Sequence, residues 1–285
     1  MTLTRARRVL TLVGAVIVFL MLAGATYQGV ATAFERRQFP HPGQLADVGG
    51  HQLHLYCTGE GIPTVVLEAP AAGMSAAWGW VQPAVAKVTR VCSYDRAGLG
   101  WSEAGDRAFT PAQVAEQLHA LLSRTGEHAP FVFAGQCFGA ALARLDAARF
   151  GGDTAALVLI DPPSEVEGDA RRVTRLVTLS PWLARMGLLR ATRMLSSNAN
   201  GLPQPAAGAF ATFLNRPDHL TRAALEMAKW DEVMARAAAT SLPGSVDVTE
   251  LQASGPDRVA FLTNPAQADA AARAIVDTVR TVRSR

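Results

Sequence analysis

The sequence predicts an α/β fold: a mostly parallel sheet with helices on both faces. Two observations carry this. From about Gly43 to Asp161, short runs rich in Val, Leu and Phe alternate with helical stretches. Those runs are apolar on both faces, as strands covered from both sides are. A third observation is the glycine-bracketed turn Gly135-Gln136-Cys137-Phe138-Gly139, set between a strand-like run and a helix.

The 285 residues suffice for one large α/β domain. About half are apolar (49%) and 18% are charged, which suits a sizeable core. The net charge of +3 gives no ground for a nucleic-acid partner, because much of the excess sits at the ends, on Arg5, Arg7, Arg8, Arg280, Arg283 and Arg285.

Residues 1–8 read as a basic cytoplasmic tail and 9–30 as a transmembrane anchor. No residue from Val9 to Val30 is charged, and at about 1.5 Å per residue the run is long enough for a bilayer core of roughly 30 Å. The preceding arginines place the N-terminus in the cytoplasm and the body on the exported, periplasmic or extracellular face. A cleaved signal peptide is the alternative, since Ala23-Gly24-Ala25 resembles a cleavage site; the body would then be secreted. The length of the uncharged stretch favours the anchor.

Residues 31–44 read as a linker, 45–162 as the first part of the core, 163–242 as a helical cap and 243–285 as a shortened last part. LADVGG and HQLHLYCTG form two short strands around a Gly-Gly turn. PTVVLEAP is a buried strand, AAWGWVQPAVAKV a helix interrupted at Pro83, and TRVCSYD a strand. AGLGWSEAG is a loop. PAQVAEQLHALLSRTG has a helix-start proline and a terminal Gly126. PFVFAG is a strand, CFGAALARLDAARF a helix and AALVLID a strand. Beyond Pro162 the stretches are helical until SVDVTEL, a doubtful strand, DRVAFL, a better one, and a final helix in AQADAAARAIVDTVRTVR.

The elbow segment is the most informative. G-x-C-x-G between a strand and a helix lets the backbone turn sharply and lifts the central side chain above the helix N-terminus, whose partial positive charge favours a thiolate and a developing oxyanion. The alternative is a tight turn with a buried thiol. With LADVGGHQLHLYCTGEGIPTVVLEAP, WGWVQPAVAKVTRVCSYDRAGLGWSE and AALVLIDPP, it makes residues 43–161 resemble the α/β-hydrolase fold superfamily, in particular its membrane-anchored or exported bacterial members.

The resemblance implies that the strand bearing Cys57 lies beside the strand bearing Cys92, so that an exported body can join them in a disulfide. It implies Cys137 as the nucleophile and backbone N–H groups of Phe138 and Ala71 as oxyanion donors. Relatives usually carry glycine at the Pro70 position; Pro70 has no N–H, which shifts the donor to Ala71. Dienelactone-hydrolase-like members also use cysteine at the elbow. Asp161 or Glu250 is the candidate acid, with Asp247 a further option.

The base is the missing part. The histidines are His41, His51, His54, His119, His128 and His219, and none follows the cap, where relatives place theirs. The corresponding segment offers Thr263 and Asn264. His119 and His128 read as surface or packing residues, and His219 as an exposed helix-start residue rather than one leaning over the site.

The expected function is therefore an ester, lactone or thioester hydrolase with a cysteine nucleophile and a degenerate triad, acting on a small apolar carbonyl compound. The alternative is a pseudoenzyme that binds an apolar ligand or a partner; a third option is a cyclisation or isomerisation. No cofactor, metal or nucleotide motif is present.

Overall fold

The structure is a computed structural model of the chain, and it describes residues 2–105, 109–162, 170–252 and 260–285. The first helix, α1 (Thr2–Gln38), is long and apolar enough to cross a membrane. It continues to Gln38, well into the stretch read from sequence as a linker.

The core begins with β1 (Gln44–Asp47) and β2 (Gln52–Thr58), an antiparallel hairpin that turns at Gly49 and Gly50. Then come β3 (Thr64–Glu68), a short 3-10 turn at Ser75–Trp78, α2 (Val81–Val85), β4 (Val91–Tyr94), α3 (Pro111–Arg124), β5 (Phe131–Gln136), α4 (Phe138–Arg149) and β6 (Thr154–Ile160). Pro83 lies inside α2, so the predicted interruption falls earlier, at Gly79–Trp80. At that point proline is tolerated, since first-turn N–H groups lack helical acceptors.

The cap comprises α5 (Ala170–Arg185), α6 (Leu188–Thr192), α7 (Ala206–Phe213), α8 (Pro217–Ala228) and α9 (Trp230–Ala239). The last segment holds β7 (Asp247–Leu251), α10 (Ala260–Thr263) and α11 (Pro265–Arg283). The doubtful strand in SVDVTEL is thus real. The strand expected in DRVAFL is not found where it can be checked: Ala260–Thr263 is helical, and Asp257–Val259 lie outside the described residues. Phe261 and Leu262 turn inward with α11, so a short apolar run serves a helix instead of a strand.

The sheet runs in the order β1-β2-β4-β3-β5-β6-β7, parallel from β4 onward. Successive residues of each central strand are buried on opposite faces. Val65, Leu67, Val132 and Val158 pack against α2 and α11, while Val66, Phe133 and Leu157 pack with the side chains of α3 and α4. Alternate burial on both faces is why these strands read as unbroken apolar runs. β2 and β4 are neighbours, Cys57 stands opposite Cys92, and a disulfide joins them.

Candidate active site

Cys137 sits between β5 and α4 with φ 54° and ψ −114°, a backbone conformation rare for any residue but glycine. The two flanking glycines permit the close approach that this turn requires. A Cβ on Gly135 would stand 2.3 Å from the Gly139 carbonyl oxygen, and one on Gly139 would stand 2.3 Å from the Glu68 carbonyl oxygen. The Cys137 N–H is held by the Ile160 carbonyl at 2.9 Å, which ties the elbow to the end of β6. Cys137 is the one cysteine outside the disulfide, and it is 9% exposed. Phe138 is the first residue of α4, so its N–H has no intrahelical acceptor and points out of the helix end with the positive pole of the dipole.

The loop after β3 is fixed by a buried ionic cluster that the sequence reading did not assign. Arg96 donates to Glu68 Oε1 at 2.6 Å, to Glu226 at 2.7 and 3.0 Å, and to the carbonyls of Ala69 and Pro70 at 2.8 Å each. Those bonds use all five guanidinium donors. Tyr94 donates its hydroxyl to Glu68. Burial pushes the Glu68 carboxyl up, although Arg96 and Tyr94 oppose the shift. The Glu226 carboxylate, delivered by α8 of the cap, also accepts the Ala72 N–H at 3.0 Å.

This arrangement orients Ala71. The Pro70–Ala71 peptide is trans. With the Pro70 carbonyl turned toward Arg96, the Ala71 N–H points the opposite way. The Ala71 side chain packs in the cluster containing Phe138, Leu142, Trp230 and Val233, so this loop and α9 close over the helix end that carries the elbow. Stacked rings of Phe109, Phe138 and Trp230 complete the cover.

The histidines are committed elsewhere. His219 is buried, not exposed as its place at a helix start led us to expect. It donates through Nε2 to the Ala72 carbonyl at 3.0 Å and accepts the Gly100 N–H on Nδ1 at 3.0 Å. Burial pushes its pKa down to about 4, so the ring is neutral and clamps the loop. His54 is buried with Nδ1 3.0 Å from Asp95 Oδ2. Burial alone would raise the Asp95 carboxyl, but His54 and the N–H groups of Ser75 and Trp101 hold it below its usual range. His41 lies against the Gly43 carbonyl and His51 against Gln117. His119 stacks on Phe150, and His128 is on the surface.

Of the candidate acids, Asp161 is buried at the end of β6, beside the strand residue that accepts the Cys137 N–H. Glu250 is exposed on the edge strand β7, and Asp247 is half-buried at its start, where it pairs with Arg285. Cys137, Phe138, Ala71 and Asp161 thus stand past the ends of β5, β3 and β6 on one edge of the sheet; Glu250 is near the same end of β7 but exposed, and Asp247 is at the opposite end of that strand. The missed cluster did have a signal: a glutamate ends the apolar run TVVLE, and an arginine follows the strand-ending aspartate in YDRAG. A charge at the mouth of a buried strand demands a partner.

A cavity of about 900 Å³ lies elsewhere, walled by Phe39, Tyr56, Trp78, Trp80 and Trp101 with the start of α7.

A family model described as "Alpha/beta hydrolase family" matches residues 65–283. No curated protein matches the chain in sequence. Among solved structures, the enol-lactonase from Burkholderia xenovorans is 18% identical with a TM-score of 0.60, over 83% of this chain and 100% of that one. The epoxide hydrolase CorEH is 16% identical with a TM-score of 0.62, over 85% and 98%. An AqdC variant, solved with its substrate the Pseudomonas quinolone signal, is 17% identical with a TM-score of 0.63, over 84% and 99%. At such identities the likeness is one of fold.

Proposed function

Since the chain belongs to the alpha/beta hydrolase family, we propose that it works as a thiol-based member, an ester, lactone or thioester hydrolase with Cys137 as nucleophile. The observation that carries this reading is the elbow itself. Cys137 is held at φ 54° at the N-terminus of a 12-residue helix, and the Ala71 side chain of the loop after β3 packs in the same cluster as Phe138. Holding such a strained residue in place is a cost that a merely buried thiol would not require.

The thiolate adds to the carbonyl carbon, forming a C–S bond, and the oxygen takes the negative charge toward the Phe138 and Ala71 N–H groups. Collapse of that intermediate expels the leaving group as an anion and leaves an acyl-cysteine, which water then hydrolyses. No imidazole is placed to protonate the leaving group. Substrates that release stable anions are therefore favoured: thioesters, enol lactones and activated esters. The helix end contributes roughly 0.3–1 kcal/mol to thiolate stability when exposed, and up to about 2 when partly buried. That is less than an imidazole partner gives, so turnover is slow and capture of the acyl group is the efficient step. The substrate in this reading is a small apolar carbonyl compound. α1 holds the body at the membrane on its exported face, where the Cys57–Cys92 bridge forms.

The test is intact mass after incubation with p-nitrophenyl esters and with a thiol-directed probe. Wild type is expected to gain an acyl adduct on Cys137 and to release p-nitrophenolate, while Cys137→Ala does neither. A wild type that neither labels nor turns over refutes the nucleophile, and leaves the ligand-binding pseudoenzyme that the committed histidines favour.

A further inference from the structure

The cap meets α1 along a stripe at helical spacing: between residues 6 and 38, Gly24, Gln28, Ala31, Thr32 and Glu35 are the positions turned out of solvent on an otherwise exposed helix. Gln28 donates to the Asn215 carbonyl at 2.8 Å and accepts from Arg190 Nε at 2.9 Å. Arg190, itself buried, also pairs with Glu35. The closest approach is at Gly24, where a Cβ would stand 2.1 Å from the Met186 carbonyl oxygen. The turn between α5 and α6 is therefore fixed at the level of Gly24.

That level lies within the apolar span. A bilayer core starting at Val9 takes about 20 helical residues and ends near Gln28, which puts Gly24 about 6 Å inside its boundary. Exposed apolar side chains flank the α5–α6 turn on both sides: Leu179 (57%) and Trp182 (66%) on α5, Leu188 (47%) at the start of α6 and Met194 (64%) just past its end. Arg185 lies over the Trp182 ring at 5.5 Å, and with Arg36 it lines a groove between α1 and the cap. Aromatic and aliphatic side chains rimmed by arginines are the composition of a membrane-surface anchor.

We infer that the α5–α6 corner of the cap is seated in the bilayer surface, with Leu179, Trp182, Leu188 and Met194 in the acyl boundary and Arg36 and Arg185 at the phosphate level. The inference rests on the reading that α1 spans the membrane. Its occupant is the bilayer that holds α1, because the patch is continuous with that helix through the Gly24 contact. An amphipathic element buries its apolar face about 5–10 Å into this boundary, a depth that matches the level of Gly24. The cap thereby becomes a platform parallel to the membrane, not a lid free in solution.

The full chain, reconstituted in vesicles of phosphatidylethanolamine and phosphatidylglycerol, tests this by spin labelling. In a Cys137→Ser background with the disulfide intact, labels go on Trp182→Cys, Met194→Cys, Val13→Cys within the span and Ser123→Cys on the exposed face of α3. Labels at 182, 194 and 13 are expected to collide more with oxygen than with a water-soluble nickel chelate, and the label at 123 the reverse. Adding Leu179→Asp with Trp182→Asp should move the label at 194 toward the aqueous pattern. Labels at 182 and 194 that behave like 123, while 13 stays in lipid, overturn the seating of the cap. An aqueous pattern at 13 overturns the spanning reading, and the seating with it.

Discussion

The β5–α4 elbow and the β7–α11 segment face the same edge of the sheet, yet they are built by opposite means. At the elbow five consecutive residues supply everything: two glycines permit the turn, the backbone sets φ, and the helix end supplies donors. In the last segment the family's machinery depends on a side chain delivered from far along the chain, and no histidine follows His219. What is carried by backbone geometry persists wherever the turn folds. What is carried by one side chain disappears with one substitution. The same contrast explains the cap: Glu226 and His219 hold the loop that presents Ala71, but neither is placed as a base.

The largest expected effect comes from cutting the bonds between the cap and the loop after β3. Glu226→Ala leaves Arg96 buried with half of its carboxylate partners gone, and losing one member of a buried ion pair costs about 3–5 kcal/mol. The urea midpoint should fall accordingly. Any acylation of Cys137 that remains should be slower, because the Ala72 N–H loses its acceptor and the loop loosens. Unchanged acylation would show that loop order does not matter to the elbow.

Next comes the disulfide, which closes a loop between residues 35 apart and is worth about 2–4 kcal/mol. Denatured protein should show one reactive thiol without reductant and three with it, given three cysteines and one bridge. A thiol count unchanged by reduction would remove the bridge. Reduction should lower the unfolding midpoint while Cys137 in the folded protein stays acylatable, since the bridge lies on the β2–β4 side of the sheet.

His219 gives a pH signature. Its folded pKa is depressed to about 4 from a usual 6.5, so the unfolded chain takes up a proton that the folded chain refuses. The stability tied to its neutral form is complete above pH 6.5 and is lost as pH falls toward about 4. At about 1.4 kcal/mol per pH unit this is on the order of 3 kcal/mol across the window. His219→Gln should flatten the fall in urea stability between those limits relative to wild type. An equal slope in both proteins would mean that the clamp on Ala72 is not carried by the neutral ring.

The sequence made the fold legible wherever local pattern and burial agree. β2 to β6, the elbow and the pairing of Cys57 with Cys92 all followed from apolar runs bracketed by Gly and Pro, or from the family they resemble. Where a short apolar run had two uses, it misled: Phe261 and Leu262 face the core from α10, and a four-residue stretch carries no period. His219 misled for a different reason. A polar residue after RPD reads as a surface helix start, and only the tertiary fold shows α8 turning that start inward against Ala72 and Gly100. The Arg96 cluster was hidden because its members lie on β3, the loop after β4, and α8, which no local spacing relates.

The smallest effect bears most directly on the contrast between the two segments. Asn264 occupies the stretch where relatives place their base, and its side chain accepts the N–H groups of Ala266 and Gln267 at 3.0 and 3.3 Å, as the N-cap of α11. Its work is structural, so Asn264→Ala should cost about 1 kcal/mol in urea unfolding. Asn264→Asp and Asn264→Ser, which can still cap, should restore most of it. The rate at which Cys137 takes an acyl group should be the same in all four proteins. If acylation slowed in Asn264→Ala in excess of the lost stability, and Asp restored the cap without restoring the rate, the amide would be acting on the elbow. The last segment would then carry chemistry as well as structure, and the division between a backbone-built half and a side-chain half would fail at that residue.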